Sequence, residues 1–266
     1  MGLVPGIKIK GINIRNAYVI CGTGMRTPCL CLHECEIQNG KIYLITGGDA
    51  MNLILCAAYL LPFLFLVIFI GRIGTRFILF VVWGFIAAVP VYFLEPVLFQ
   101  AAQTEIPAVL ASITISPIVE EFFKALPLLI LALAGARQQD RDIFLYAFAS
   151  GIGFAIIETG LISSPDLIVI LTHSFSTALM HGCTCGIIGY GIVISRHFDR
   201  RAFPSLILGF FTLAVTIHAL YNLLGSAFFG LAGFCIDLVF PVILFFGLLM
   251  CYHIDLPALF RHRASA

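Results

Sequence analysis

Several ionisable side chains stand in stretches that are otherwise apolar. Glu120, Glu121 and Lys124 lie in "SPIVEEFFKALP", Glu158 in "GIGFAIIETG", and His218 with Asn222 in "IHALYN". His173 and His181 share a fourth stretch, and Asp237 lies in a fifth. A carboxylate within reach of water can act as general base, and a second Glu or a His can orient the water or protonate a leaving amine. An imidazole and an amide four residues apart share one helical face and can donate to a tetrahedral oxyanion. That set suits acyl hydrolysis by activated water. No G-x-S-x-G is present to suggest a serine nucleophile. Glu120, Glu158, His181 and His218 are also of the types that hold a divalent metal such as zinc. H-E-x-x-H is absent, so the sequence does not require a metal.

These residues need elements to position them, and composition says of what kind. The 266 residues are 61% hydrophobic and 11% charged, against roughly a quarter charged in a soluble domain. Mean hydropathy is +1.06. A soluble globule, a disordered chain and a coiled coil are excluded. The remaining class is an all-α polytopic membrane protein. A net charge of +1 gives no footprint for nucleic acid.

Seven apolar stretches are expected to span the bilayer: Leu53–Ile70, Phe77–Leu94, Val109–Ala134, Ile143–Ile162, Leu167–Ile194, Phe203–Leu224 and Phe228–Tyr252. Each approaches the roughly twenty residues that cross the hydrocarbon. "EPVLFQAAQTEIP", after the second, reads as an interfacial or re-entrant piece and would make an eighth. Arg72, Arg76, Arg137, Arg141, Arg196, Arg200, Arg201, Arg261 and Arg263 follow odd-numbered spans only. That bias places the C-terminus in the cytoplasm of a cell-membrane protein. On seven spans the N-terminus lies outside, against which Lys8, Lys10, Arg15, Arg26 and Lys41 argue. In this orientation Glu120 and His181 lie near mid-membrane and Glu158 and His218 in the outer third, so they can line one cavity opening outward.

A charge at membrane depth costs roughly 3 kcal/mol or more, so each needs a partner or a task. Glu120 and Lys124 read equally as an ion pair fixing helix packing. His173 reads as a packing or interfacial residue, and Asp237 as a hydrogen-bonded one.

Residues 1–50 form a separate polar appendage before a transmembrane domain over 51–266. "IKIKGINI" alternates and "KIYLITGG" ends in a Gly-Gly turn, so both read as strands of a small β-rich unit. Its Cys21, Cys29, Cys31 and Cys35 fit a zinc site, disulfides or plain thiols; the spacing lacks paired C-x-x-C knuckles.

"EEFFK", "FAIIE" and "HALYN" resemble the E-E-x-x-K, F-x-x-x-E and H-x-x-x-N motifs of PrsW-type intramembrane proteases. "HGCTCGIIGYG" resembles that family's His followed by a Gly-rich stretch, and the likeness covers residues 107–225. The wider superfamily includes the CAAX prenyl endopeptidases and a scaffold subunit of γ-secretase. The resemblance implies that Glu120 and Glu121 activate water or hold the site, completed by Glu158 and His181. It implies an oxyanion pocket from His218 and Asn222, with Lys124 neutralising the acidic pair. Such proteins are similar to site-1 proteases that clip membrane-anchored substrates on the outer side. Two positions depart from the pattern: Thr159 stands where an Asn is common, and His173 where an Arg is common. The rivals are a CAAX-type prenyl endopeptidase, disfavoured by Lys124 and Glu158, a proton-coupled transporter and a non-catalytic scaffold. The expected partners are a membrane-anchored protein or peptide substrate and the lipid bilayer.

Overall fold

The computed structural model describes residues 35–38, 41–44, 74–102, 108–135, 138–160, 167–198, 201–228 and 230–253. The chain divides into two compact units, Met1–Thr46 and Gly47–Ala266. In the first, strands β1 (Cys35–Gln38) and β2 (Lys41–Leu44) pair antiparallel, Cys35 opposite Leu44 and Gln38 opposite Lys41. Asn39 and Gly40, which separate them in sequence, are the pair that two-residue hairpin turns favour. Of the expected strand "KIYLITGG", Lys41–Leu44 is a strand. "IKIKGINI", Cys21, Cys29, Cys31 and the expected first span Leu53–Ile70 lie outside the described residues.

The second unit contains six described helices: α1 (Thr75–Ala102), α2 (Ala108–Leu133), α3 (Asp140–Gly160), α4 (Leu167–Ser195), α5 (Phe203–Ala227) and α6 (Gly230–His253). Five of them are long and apolar enough to cross a membrane. The protein is an integral membrane protein. The exception, α2, has 26 residues, and every eighteen-residue stretch of it contains Glu120, Glu121 and Lys124. Its length of about 39 Å, at 1.5 Å per residue, exceeds the hydrocarbon thickness.

One expectation is corrected among the described residues. The segment from Glu95 to Ala102 is not a separate interfacial piece but the last two turns of α1, which continues through Pro90 and Pro96. Each proline removes one backbone hydrogen bond. Where there is no water to take over the remaining bonds, the helix continues.

Local signals account for several ends. Gly135, with φ 67°, turns the chain out of α2 in the left-handed region. Asp140 and Asp142 sit in the first turn of α3, where carboxylates complement the helix dipole. Pro204 opens α5, where its missing N–H has no partner to lose.

Helix α4 is the hub. Its apolar length is buried throughout and that of α3 mostly so, whereas α5 and α6 turn large apolar side chains such as Leu208, Ile243 and Met250 outward. The core joins Phe148, Ile152, Leu179, Ile188 and Phe245. Glycine lets the backbones touch: a Cβ on Gly151 would stand 2.0 Å from the His181 carbonyl oxygen, and one on Gly153 2.2 Å from that of Val81. Close approach through small residues is how helices associate in lipid, where apolar burial supplies little drive. Polar pins fix α2 in place. Trp83 Nε1 donates to the Phe123 carbonyl at 2.9 Å, and Ser150 Oγ to that of Lys124 at 2.8 Å. At the end of the bundle where α3 begins, Arg76 and Arg196 both donate to Gln138, and His197 lies 3.0 Å from Asp140.

Candidate active site

Helix periodicity aims the residues of α2. Glu121 and Lys124 are three apart and Glu120 and Lys124 four apart, so both acids flank one ammonium. Lys124 Nζ donates to Glu121 Oε1 at 2.7 Å and lies 3.7 Å from Glu120 Oε2. Lys124 and Glu121 are fully buried and Glu120 nearly so. The Phe154 ring of α3 lies 4.8 Å from the ammonium.

The close α3–α4 contact at Gly151 brings His181 into this group. His181 Nδ1 accepts from Lys124 Nζ at 2.6 Å, and its Nε2 lies 2.5 Å from Glu158 Oε2. Because an ammonium can only donate, the ring proton belongs on Nε2, facing the Glu158 carboxylate. Helix α5 brings His218, whose Nδ1 donates to Glu121 Oε1 at 2.9 Å. Its Nε2 lies 3.8 Å from Glu120 Oε2. The two rings meet edge to face, centroids 4.9 Å apart.

The adjacent acids differ in the donors they gather, although Glu121 Oε2, like Glu120 Oε2, is buried without a hydrogen bond. Glu121 Oε1 receives three donors, from Lys124, His218 and Thr184 Oγ1. Glu120 Oε2 is buried and accepts none, with Lys124, His181 and His218 nitrogens at 3.7, 3.7 and 3.8 Å. Glu158 is the accessible acid, its side chain 39% exposed. Asn222, one turn beyond His218, is partly exposed.

Glu120, His181 and His218 each offer one ligand atom, all within 4.8 Å of one another. One carboxylate and two imidazoles make a three-ligand set that leaves a position open, as in catalytic zinc sites. Both outward nitrogens rest on carboxylates, Glu158 behind His181 and Glu121 behind His218. Such outer carboxylates orient metal-bound imidazoles. The residues therefore fit a divalent metal, supported by the unpartnered Glu120 oxygen. Glu158, expected among the ligand candidates, stands behind His181 instead. Of the four N-terminal cysteines only Cys35, in β1, falls in a described element.

The description PrsW family intramembrane metalloprotease belongs to a family model that matches residues 75–250. The chain belongs to the PrsW family. The match runs from the start of α1 into α6, so all six described helices are PrsW helices. The protein is accordingly a peptidase of the membrane. No curated protein and no solved structure matches the chain.

This PrsW protein has polar groups around the cluster that sequence reasoning missed. Glu95 on α1 is hydrogen-bonded to Ser116, one turn before Glu120, and its Oε1 is buried without a partner. A lone acid in an apolar span is a sufficient signal, but the expected span ended at Leu94. Ser176 on α4 joins α5 to α6: it donates to the Asp237 carbonyl and receives the Tyr221 hydroxyl at 2.6 Å. His173, which the sequence singles out as a packing or interfacial residue, lies two turns from His181 and is partly exposed, with a buried, unpartnered Nε2.

Proposed function

We propose that the protein hydrolyses membrane-anchored protein substrates with a water activated beside Glu120, acting as a site-1 type endopeptidase at the outer side of the cell membrane. The observation that carries this reading is the Glu120 oxygen, buried and without a hydrogen bond, between two imidazoles held from behind by carboxylates. Glu120, His181 and His218 would hold a divalent metal such as zinc. When bound, that metal supplies an acidified water and polarises the scissile carbonyl.

The other roles follow from geometry. Glu121, whose Oε1 takes three donors, holds His218 and Lys124 in place. With the His218 proton on Nδ1, its Nε2 carries a lone pair and suits a ligand or proton acceptor. Oxyanion donation therefore falls to the Asn222 amide, a donor that also faces outward. Glu158, accessible and bonded to His181, takes the proton of the attacking water and returns it to the leaving amine. The exposure of Glu158 and Asn222, against the burial of the rest, supports substrate entry from the end where α3 and α5 finish. With the arginine bias of the loops, that end is the cell exterior.

The test is cleavage of a transmembrane peptide by the full chain purified in detergent. Glu120→Gln and His218→Ala should each remove turnover while thermal unfolding of the helices is unchanged. A chelator should remove turnover and added zinc restore it. Full activity of Glu120→Gln would reject the assignment, and proton flux in proteoliposomes without peptide cleavage would favour a transporter.

A further inference from the structure

Lys124 stands where the reaction calls for a metal. Its ammonium is fully buried and touches the pocket on three sides, at 2.6 Å from His181 Nδ1, 2.7 Å from Glu121 Oε1 and 3.7 Å from Glu120 Oε2. His181 Nδ1 and Glu120 Oε2 lie 3.7 Å apart and belong to the ligand group. The nitrogen lone pair serves one donor hydrogen or one metal bond, never both. The other nitrogen of that ring is committed to Glu158. An ammonium on the lone pair therefore blocks coordination sterically, and two cations in a poorly screened interior also repel.

We propose that the Lys124 ammonium and a divalent metal compete for one position beside Glu120 and His181, so that Lys124 sets how tightly this protease holds its metal. The proposal rests on the reading of Glu120, His181 and His218 as metal ligands. Lys124 has a second seat: when it leaves His181 it keeps the Glu121 oxygen and the face of Phe154. Displacement therefore moves the ammonium without stripping it of partners, which keeps exchange between the two cations reversible. In the metal-free protein the same ammonium keeps the two acids and His181 together. Lys124 is thus a positioning residue, and its effect is read as metal affinity.

The experiment is a Co2+ titration of the full chain, purified in detergent and stripped with chelator. It is followed by visible absorption of the bound ion and by calorimetry. Lys124→Met removes the charge at similar length, and Lys124→Arg retains it. Lys124→Met should bind Co2+ about ten- to a hundredfold more tightly than the unaltered protein, the scale on which groups behind a ligand tune affinity. Lys124→Arg should bind no more tightly than the unaltered protein. Should Lys124→Met alone fail to fold because Glu121 loses its cation, the double variant Glu121→Gln with Lys124→Met removes both charges, and it should bind Co2+ about ten- to a hundredfold more tightly than Glu121→Gln alone, which cancels the effect of Glu121 on His218. Equal affinity in the charged and uncharged proteins would overturn the competition and leave the metal site standing. Equal tightening by Met and Arg would also overturn it, since charge would then not be the cause. Absence of Co2+ binding in every protein would reject the ligand assignment, and the competition with it.

Discussion

Two layers of one polar cluster behave differently. The inner layer, Glu121, Lys124, Thr184 and the Nδ1 side of His218, is buried and tied together through Glu121 Oε1, while Glu121 Oε2 has no partner. The outer layer holds Glu120 with a bare oxygen and an accessible Glu158; Asn222, one turn beyond His218 on α5, is partly exposed. Adjacent residues of one helix, Glu120 and Glu121, fall on opposite sides of this divide. Three donors on Glu121 Oε1 fix that carboxylate as a strut, whereas the bare Oε2 of Glu120 lies between two imidazoles.

The contrast is sharpest in the largest effect expected. Glu120→Gln should lower turnover by roughly a hundred- to ten-thousandfold, because it removes the carboxylate from the three residues that would hold the metal beside the attacking water. Its unfolding midpoint in detergent should stay within the error of the parent. Glu121→Ala should do the reverse in kind. It leaves the Lys124 ammonium buried without its closest acid, at a cost of about 3–5 kcal/mol, read as a lowered unfolding midpoint and lost expression. If both substitutions unfold the protein equally, the division into strut and reactive acid is wrong.

Smaller effects probe the outer layer. Asn222→Ala should cost roughly a hundred- to a thousandfold in turnover with little change in KM, as expected for an oxyanion donor. A rise in KM at unchanged turnover would make Asn222 a substrate contact instead. Ser176→Ala, which unpins α5 from α6 without touching Glu120, should cost about 1 kcal/mol of stability. Turnover measured below the unfolding range should be retained, and a large loss there would extend the reacting layer to α6.

The sequence made the site's membership readable because charges in apolar stretches are rare and expensive. Glu120, Glu121, Glu158, His181 and His218 stand out for that reason alone, and the structure brings all five together. The same rule would have found Glu95 had the span boundary not been drawn one residue early. Ser176 and Tyr221 carry no charge, so nothing in their types or spacing marks them as a link between α5 and α6. His173 and Asp237 were as visible as the others, yet neither joins the ligand group.

Composition, apolar periodicity and spacing determined by themselves that the chain crosses a membrane as helices, and that Glu120 and Lys124 share one helical face. These are local properties, set by residue type and the 3.6-residue turn. Which acid gathers three donors, and which imidazole nitrogen faces inward, was decided only by the tertiary structure. Those distinctions depend on where α3, α4 and α5 lie against α2. That placement follows from contacts such as Gly151 against the His181 backbone, between residues thirty positions apart.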